Sequence, residues 1–167
     1  MSIPIFLLCI VSLTGLVSGS CLCPRPWIHY ERHCYWFVGK PNTFFPAEAF
    51  CNEKSDEFGE SHLVSIHDDE ERLFVAENCL RLWETAAIWI GLNDIEEEGN
   101  FVWTDGSPVN FTNFNKNEPN NVNGVEHCIH LVESTKYGIW NDGPCTTNLY
   151  FFVCKKAGWE WWRYCTT

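Results

Sequence analysis

The segment Lys116–Gly124, KNEPNNVNG, sets a carboxylate and an amide, Glu118 and Asn120, on either side of a proline. A second polar segment, Tyr137–Cys145, reads YGIWNDGPC and places an Asn-Asp pair directly after a strand-like run. Two acids and two amides suit a metal ion, a sugar or a solvated turn, because Asn and Asp are common turn residues. Other features of the sequence are needed to choose between a metal site, a sugar site and a solvated turn.

Length and composition indicate one folded domain with excess acid. The chain has 167 residues, 16% aromatic residues and nine tryptophans, which provides a substantial core and argues against disorder. The formal net charge of −11 argues against binding to nucleic acid, which requires basic patches, and against docking on anionic lipid. We therefore predict no nucleic-acid partner.

The first twenty residues are typical of a secretory signal peptide. The segment IPIFLLCIVSLTGLVSG is apolar, and the small residues Ser18, Gly19 and Ser20 form a cleavage pattern. No later stretch approaches the roughly 20 apolar residues of a membrane span. We predict that residues 1–20 are removed and that the mature protein is secreted and extracellular, without membrane insertion.

Secretion makes the cysteines informative, because an oxidising compartment favours disulfides. Ten cysteines occur, and Cys9 leaves with the signal peptide. The pair Cys21-Leu22-Cys23 has poor spacing for a zinc site, so we interpret the cysteines as a disulfide framework. An odd number remains, and at least one thiol is therefore free or bonded to another chain. The nine are Cys21, Cys23, Cys34, Cys51, Cys79, Cys128, Cys145, Cys154 and Cys165.

The first half of the mature chain predicts a hairpin and two helices. Trp27–Tyr30 and Cys34–Val38 are strand-like runs joined by a polar turn. The run NTFFPAEAFCNEKSDEF predicts a helix in which Thr43 can cap the start. Asp68, with Glu71 three residues later, forms a capping-box pattern for a second helix.

The second half predicts strands interrupted by a long polar loop. Ala87–Leu92, Cys128–Val132, Tyr137–Trp140 and the run LYFFVCKK are strand candidates. Asn93–Gly124 is rich in Asn, Asp, Glu, Gly and Pro, and a loop of that length is usually functional or disordered. The order of elements predicts an α+β fold with antiparallel sheets.

These motifs together resemble the C-type lectin-like domain family. The resemblance rests on CPRPWIHYERHCYWF, HLVSIHDDEE, WIGL, EPN, WND and the spacing of Cys128, Cys145 and Cys154. It implies two helices flanking small antiparallel sheets, a long calcium-binding loop and stabilising disulfides. We place this domain at residues 21–158, followed by a short aromatic tail at 159–167.

The resemblance also implies three disulfides, Cys23–Cys34, Cys51–Cys154 and Cys128–Cys145. The second closes a loop of about a hundred residues, which chain-entropy models credit with ~4–5 kcal/mol. Three cysteines are left over, and their pairing stays open. Either Cys21 pairs with Cys165 and leaves Cys79 for an interchain bond, or Cys21 or Cys165 forms that bond itself. A disulfide-linked homodimer is one expected result, and linked sites would raise avidity.

The polar segments contain the donors that a calcium ion and a sugar require. Calcium takes six to eight oxygens, and five side chains plus a backbone carbonyl leave places for two ligand hydroxyls. Each hydroxyl of a vicinal diol can donate to a carboxylate and accept from an amide NH₂. We therefore predict a Ca²⁺ cofactor and carbohydrate binding at one shared set of residues. These residues are Glu118, Asn120, Glu126, Asn141 and Asp142.

The resemblance makes the expected ligand more specific. The EPN triplet looks like the mannose-type motif, in which the Glu118–Pro119 bond is cis, and it implies mannose, N-acetylglucosamine or fucose rather than galactose. The expected partners are glycans bearing terminal mannose-type sugars, for example on microbial surfaces in innate immunity. The alternative is a domain of the same fold that binds a protein or another surface, such as ice, with calcium.

Two further sites follow from the resemblance and from a short motif. An auxiliary metal site is common in the family, and its matching positions here are Asp94, Glu98, Asn121 and Glu126, with His127 alongside. The family pattern has acids where this chain has Asn121 and His127, which should weaken calcium binding there. Asn110-Phe111-Thr112 is a glycosylation sequon.

Catalysis is not expected from the sequence. The six histidines are scattered, and no HExxH, GxSxG or Cys/His nucleophile arrangement occurs. Neighbouring acids could suggest a glycosidase pair, but metal ligation explains the EPN and WND acids better. We predict that the protein is not an enzyme.

Overall fold

The computed structural model describes residues 23–57, 59–83, 87–132 and 138–158. The predicted signal peptide, the aromatic tail, Cys21, Cys165 and Tyr137 lie outside these residues. The elements in chain order are β1 (Ile28–Tyr30), β2 (His33–Asn42), α1 (Phe44–Asn52), β3 (His62–Leu63), α2 (Asp69–Trp83), β4 (Ile88–Asn93), β5 (Val102–Trp103), β6 (Cys128–Leu131), β7 (Trp140–Gly143) and β8 (Tyr150–Ala157).

The predicted α+β class with two helices is confirmed, and the strands join in one mixed sheet rather than in separate small antiparallel sheets. The main order is β1-β2-β8-β4-β6-β7, with β3 paired to β8 and β5 paired to β4. The last strand enters the middle of the sheet and pairs in parallel with β4. A parallel pair needs a long crossover, and residues 94–149 supply it. The other pairs are antiparallel.

Helix α1 begins where predicted, but Thr43 does not cap it with its side chain. The first helical N–H, that of Phe44, instead donates to the carbonyl oxygen of Cys145 at 3.0 Å. This distant backbone partner could not be read from local sequence. The helix buries Phe44, Ala47 and Cys51 against the sheet.

Helix α2 begins at the predicted capping pattern. Oδ1 of Asp68 accepts the N–H of Glu71 at 2.8 Å. The Glu71 carboxylate accepts the N–H of His67 at 2.9 Å, one residue earlier than in a standard capping box. Among the described residues, no helix has the length and apolar character needed to cross a membrane.

Two apolar clusters and three disulfides hold the helices and the sheet together. One cluster lies around Trp140 and Trp103, and the other around Trp89 and Phe152. The disulfides are Cys23–Cys34, Cys51–Cys154 and Cys128–Cys145, the pairs that the resemblance implies. The last of them joins the first residue of β6 to Cys145, two residues beyond the end of β7.

Burial argues against one of the open alternatives, the one in which Cys79 bonds to another chain. Cys79 is free, but only 2% of it is exposed, and it belongs to the apolar cluster around Trp140 and Trp103. Burial raises the pKa of its thiol well above the ordinary value, so the reactive thiolate is disfavoured. Of the three spare cysteines, Cys21 and Cys165 therefore stay candidates for an interchain bond.

Candidate functional site

Strand β7 anchors the EPN loop through one buried carboxylate. Asn141 and Asp142 lie within β7, not after a strand as the sequence suggested. Asp142 is 1% exposed, and its carboxylate accepts the N–H of Asn120 at 3.1 Å and of Asn121 at 2.7 Å. A core strand thereby fixes the backbone of the polar loop.

The loop itself turns sharply at the predicted motif. The peptide bond between Glu118 and Pro119 is cis, as the resemblance implies. Asn121 adopts a left-handed backbone conformation with φ of 43°, and a single 3₁₀ turn follows at Val122–Gly124. Oε2 of Glu126 accepts the N–H of Val122 at 2.9 Å, which closes this turn. The loop therefore turns back, and the charge of the Glu126 carboxylate acts on the carboxylate of Glu118.

Three carboxylates meet without a positive partner. The pKa of Glu118 is raised, first by burial, then by the charge and hydrogen bond of Asp142, and lastly by the charge of Glu126. Within the described part of the chain, the ion pairs of the lysines, arginines and histidines involve none of these three acids. The arrangement concentrates negative charge that no described lysine, arginine or histidine neutralises by an ion pair.

Two oxygens at this position are buried and have no hydrogen-bond partner among the residues that the structure describes. They are Oε2 of Glu118 and Oδ1 of Asn141. Buried acceptors are normally satisfied, so each of them calls for an explanation. Unsatisfied oxygens beside clustered carboxylates are the donor set that a hard divalent cation requires, and the residues therefore fit calcium.

The structure brings two of the predicted ligands in the EPN loop into contact with Asp142 of β7. Glu118 and Asn120 interact with Asp142 directly, and Glu126 acts on Glu118 through its charge. Asn141 is the neighbour of Asp142 in β7 and lies opposite His130 of β6. Asn120 is exposed and Glu126 is half-buried, so this end of the molecule is open to a ligand from solvent.

Comparison with known proteins identifies the fold. A family model described as the lectin C-type domain matches residues 40–156. The chain belongs to the C-type lectin domain family. A solved structure of the C-type lectin CEL-I from Cucumaria echinata is 31% identical, with a TM-score of 0.77, over 81% of this chain and 97% of that one.

Two relatives differ in the sugar that their names record. A mannose-binding isoform from Oxyuranus scutellatus is 36% identical over 83% of this chain and 85% of the relative. An alpha-N-acetylgalactosamine-specific lectin from Patiria pectinifera is 39% identical over 90% of this chain and 95% of the relative. Overall similarity therefore indicates a carbohydrate-binding domain and leaves the choice of sugar to individual site residues.

The auxiliary site of C-type lectin domains is only partly assembled here. Asp94 and Glu98 lie beside His127, but the oxygen of Asn121 accepts the N–H of Glu126 at 3.0 Å. The amide nitrogen of Asn121 donates to Glu98. Asn121 thus presents a donor where a calcium ligand must present an oxygen.

A polar pocket elsewhere in this C-type lectin domain was not predicted. It has a volume of about 180 Å³ and is lined by residues that include His67, Ser65, Ser107, Asp105 and Lys155. No short motif signals it, because its serines, for example, are 42 positions apart in the sequence. Burial, and then the charge of Lys155, lower the pKa of the pocket residue His33 to about 4.

The pocket contains serine, histidine and aspartate but not a catalytic triad. Both serine hydroxyls donate to Asp105, at 2.6 Å from Ser65 and 2.5 Å from Ser107. The same nitrogen of His67, Nε2, faces both hydroxyls, at 3.2 and 3.3 Å. In a triad the acid would orient the histidine through its other nitrogen. Here the acid binds the serines instead, so the histidine has no such support.

Asn110 of the sequon lies exposed in the long loop. A side chain on the surface of a loop is accessible to glycosylation, which stays a prediction.

Proposed function

We propose that this protein is a secreted, calcium-dependent lectin that binds glycans with terminal mannose-type sugars. One observation carries the proposal: a buried oxygen of Glu118 has no partner in the described part of the chain, and its carboxylate feels the negative charge of Asp142 and Glu126. Such a cluster is unfavourable by itself, because like charges in a buried setting repel. Binding of a divalent cation removes both the repulsion and the unsatisfied oxygen.

The proposed ligands of calcium are Glu118, Asn120, Glu126, Asn141 and Asp142. The bound ion would supply coordination places for two neighbouring sugar hydroxyls. The side chains of this chain orient those hydroxyls, since carboxylates accept hydrogen bonds and the amides of Asn120 and Asn141 can donate them. Asp142 additionally holds the loop backbone through two N–H groups.

The sugar preference is proposed from the EPN triplet. Glu118 before the proline and Asn120 after it set the order of acceptor and donor around the diol. The name of the Oxyuranus scutellatus relative is consistent with mannose, whereas the name of the Patiria pectinifera relative points to another sugar. We therefore assign mannose, N-acetylglucosamine and fucose as the ligands to be tested first.

The biological setting proposed here is recognition of microbial glycans outside the cell, without catalysis. The predicted signal peptide supports secretion, and the similarity to carbohydrate-binding lectins supports a binding role. Cys21 or Cys165 would supply the link of a disulfide-bonded homodimer, which would increase avidity through paired sites.

A glycan array with calcium and with EDTA tests this proposal. We expect mannose-type glycans to be retained in calcium and released in EDTA. A protein partner or ice bound without any calcium-dependent sugar signal would reject the proposal in favour of the alternative.

The double substitution Glu118→Gln with Asn120→Asp provides a matched variant. It exchanges the order of acid and amide while it keeps one of each. We expect calcium binding to persist and the preference to shift from mannose towards galactose. A variant that still prefers mannose would show that another part of the protein reads the diol.

A further inference from the structure

Three side chains that can ligate a metal form a second cluster beside the candidate calcium site. Asp94 and Glu98 lie in the loop after β4, and His127 immediately precedes β6. One ligand atom from each lies within 4.8 Å of the other two. Nδ1 of His127 is 3.2 Å from Oδ1 of Asp94 and 3.4 Å from Oε2 of Glu98.

The cluster does not fit the auxiliary calcium ion that the family implies. Calcium is a hard cation that takes six to eight oxygens. Here an imidazole nitrogen lies beside the two carboxylates, at a position where calcium would require another oxygen. The oxygen of Asn121 is already used by the N–H of Glu126. Too few oxygens converge on this position for calcium.

We propose that Asp94, Glu98 and His127 form a zinc(II) site. Zinc accepts imidazole nitrogen and carboxylate oxygen together at about 2.0–2.2 Å, and two ligands on a tetrahedral ion are then about 3.3 Å apart. The distances from His127 Nδ1 to the two carboxylates match this spacing. Two carboxylates neutralise the ion, and three protein ligands leave one place for water.

The surrounding backbone already holds the ligands in position. Asp94 is 2% exposed, and its second oxygen, Oδ2, accepts the N–H of Gly99 at 2.8 Å. The N–H of Asp94 donates to the carbonyl oxygen of His127 at 3.1 Å, which joins the two segments. Metal ligands oriented in this way lose little freedom on binding.

The site is open to an incoming ion. The side chains of His127 and Glu98 are 31% and 59% exposed. A zinc ion there would link the loop after β4 to the segment that carries Asn121 and Glu126. It would stabilise the fold next to the proposed calcium ligands without replacing any of the donors that read the sugar.

Zinc binding to the full mature protein, saturated with calcium, tests the proposal by calorimetry and metal analysis. We expect one zinc ion per chain and a rise in unfolding temperature with zinc. His127→Ala should weaken zinc binding at least tenfold, because it removes the only nitrogen ligand. His29→Ala is the matched control, since His29 is exposed, and it should bind zinc as the parent protein does.

His127→Asp provides a second variant that keeps a ligand at this position. It replaces nitrogen with oxygen, so zinc binding should fall and one additional calcium ion should bind per chain. Failure of the parent protein to bind zinc would overturn the proposal, as would equal zinc affinity in the parent and both His127 variants. Calcium-dependent sugar binding is measured separately, so its failure and the failure of the zinc site are distinguishable.

Discussion

Two glutamates, Glu71 and Glu118, show how this molecule treats negative charge in opposite ways. Glu71, at the start of α2, has Lys155 at 2.5 Å, accepts the hydroxyl of Tyr35 at 2.6 Å and accepts the N–H of His67. Glu118, in the EPN loop, has a buried oxygen without a partner among the described residues. Its carboxylate interacts with the negative charges of Asp142 and Glu126. The first carboxylate is neutralised by the fold, and the second is not.

The difference separates a structural cluster from a binding site. A buried charge is tolerated when it is paired and hydrogen-bonded, so the partners of Glu71 are sufficient to explain its presence. The fold offers no such explanation for Glu118. No partner is found among the residues that the structure describes, and the open side of the loop allows a ligand to enter from solvent.

The most severe test of this contrast is Glu118→Gln. The substitution removes a charged calcium ligand, so we expect calcium-dependent glycan binding to be abolished on the array. It also removes repulsion with Asp142, so the calcium-free protein should become more stable to heat. Glu57→Gln, at an exposed glutamate, is the control and should change neither property. Sugar binding that survives in Glu118→Gln would contradict the assignment of Glu118 to the binding site.

The reverse test is Glu71→Gln, which should lower the free energy of unfolding and leave sugar binding by the folded protein unchanged. Lys155 is 6% exposed, and removal of its partner leaves a buried, unpaired charge. Loss of one member of a buried pair typically costs about 3 kcal/mol or more. Urea unfolding should show a loss of that size. The folded fraction should still bind mannose in calcium, and a selective loss of sugar binding would contradict the structural role.

A pH experiment sharpens the contrast on the Glu71 side. His33 packs near Lys155, and burial together with that charge lowers its pKa to about 4 from 6.5. Between these two values the unfolded chain takes up a proton that the folded chain excludes, so stability falls as pH decreases from 6.5 to 4. Because His33 is partly open to solvent, we expect a contribution of only about 1–2 kcal/mol.

The measurement compares urea unfolding at pH 7 and pH 4.5 in EDTA for three proteins. His33→Gln should lose less stability on acidification than the parent, and His29→Gln should behave as the parent does. Equal acid sensitivity in all three proteins would contradict the prediction, because it would show that folding does not lower the pKa of His33.

Sequence reasoning succeeded where local pattern or a recognisable motif decides the structure. The start of α2 follows from Asp68 and Glu71, and the disulfide pairs follow from the family resemblance. The five proposed calcium ligands stay predictions, although the geometry of Glu118 and Asp142 supports them.

The failures involve contacts between residues far apart in the chain. Thr43 was expected to cap α1, but the carbonyl oxygen of Cys145 receives the first helical N–H. The pairing of Glu71 with Lys155 joins α2 to the last strand, and no spacing rule predicts it. The orientation of the Asn121 amide likewise depends on Glu98 and Glu126, which only the folded loop brings together.

The smallest expected effect concerns Cys79, which lies in the same apolar cluster as Tyr35 and buries a thiol without a charge. Cys79→Ala removes one buried sulfur, so we expect a loss of about 1 kcal/mol in the free energy of unfolding. Non-reducing electrophoresis should give the same pattern of monomer and dimer as the parent protein, because the sulfur cannot reach another chain. A thiol reagent should label Cys79 only after unfolding. Loss of a dimer band in Cys79→Ala would instead show that α2 opens far enough to expose this core position. The region around α2 and Glu71 would then be less rigid than the structure indicates.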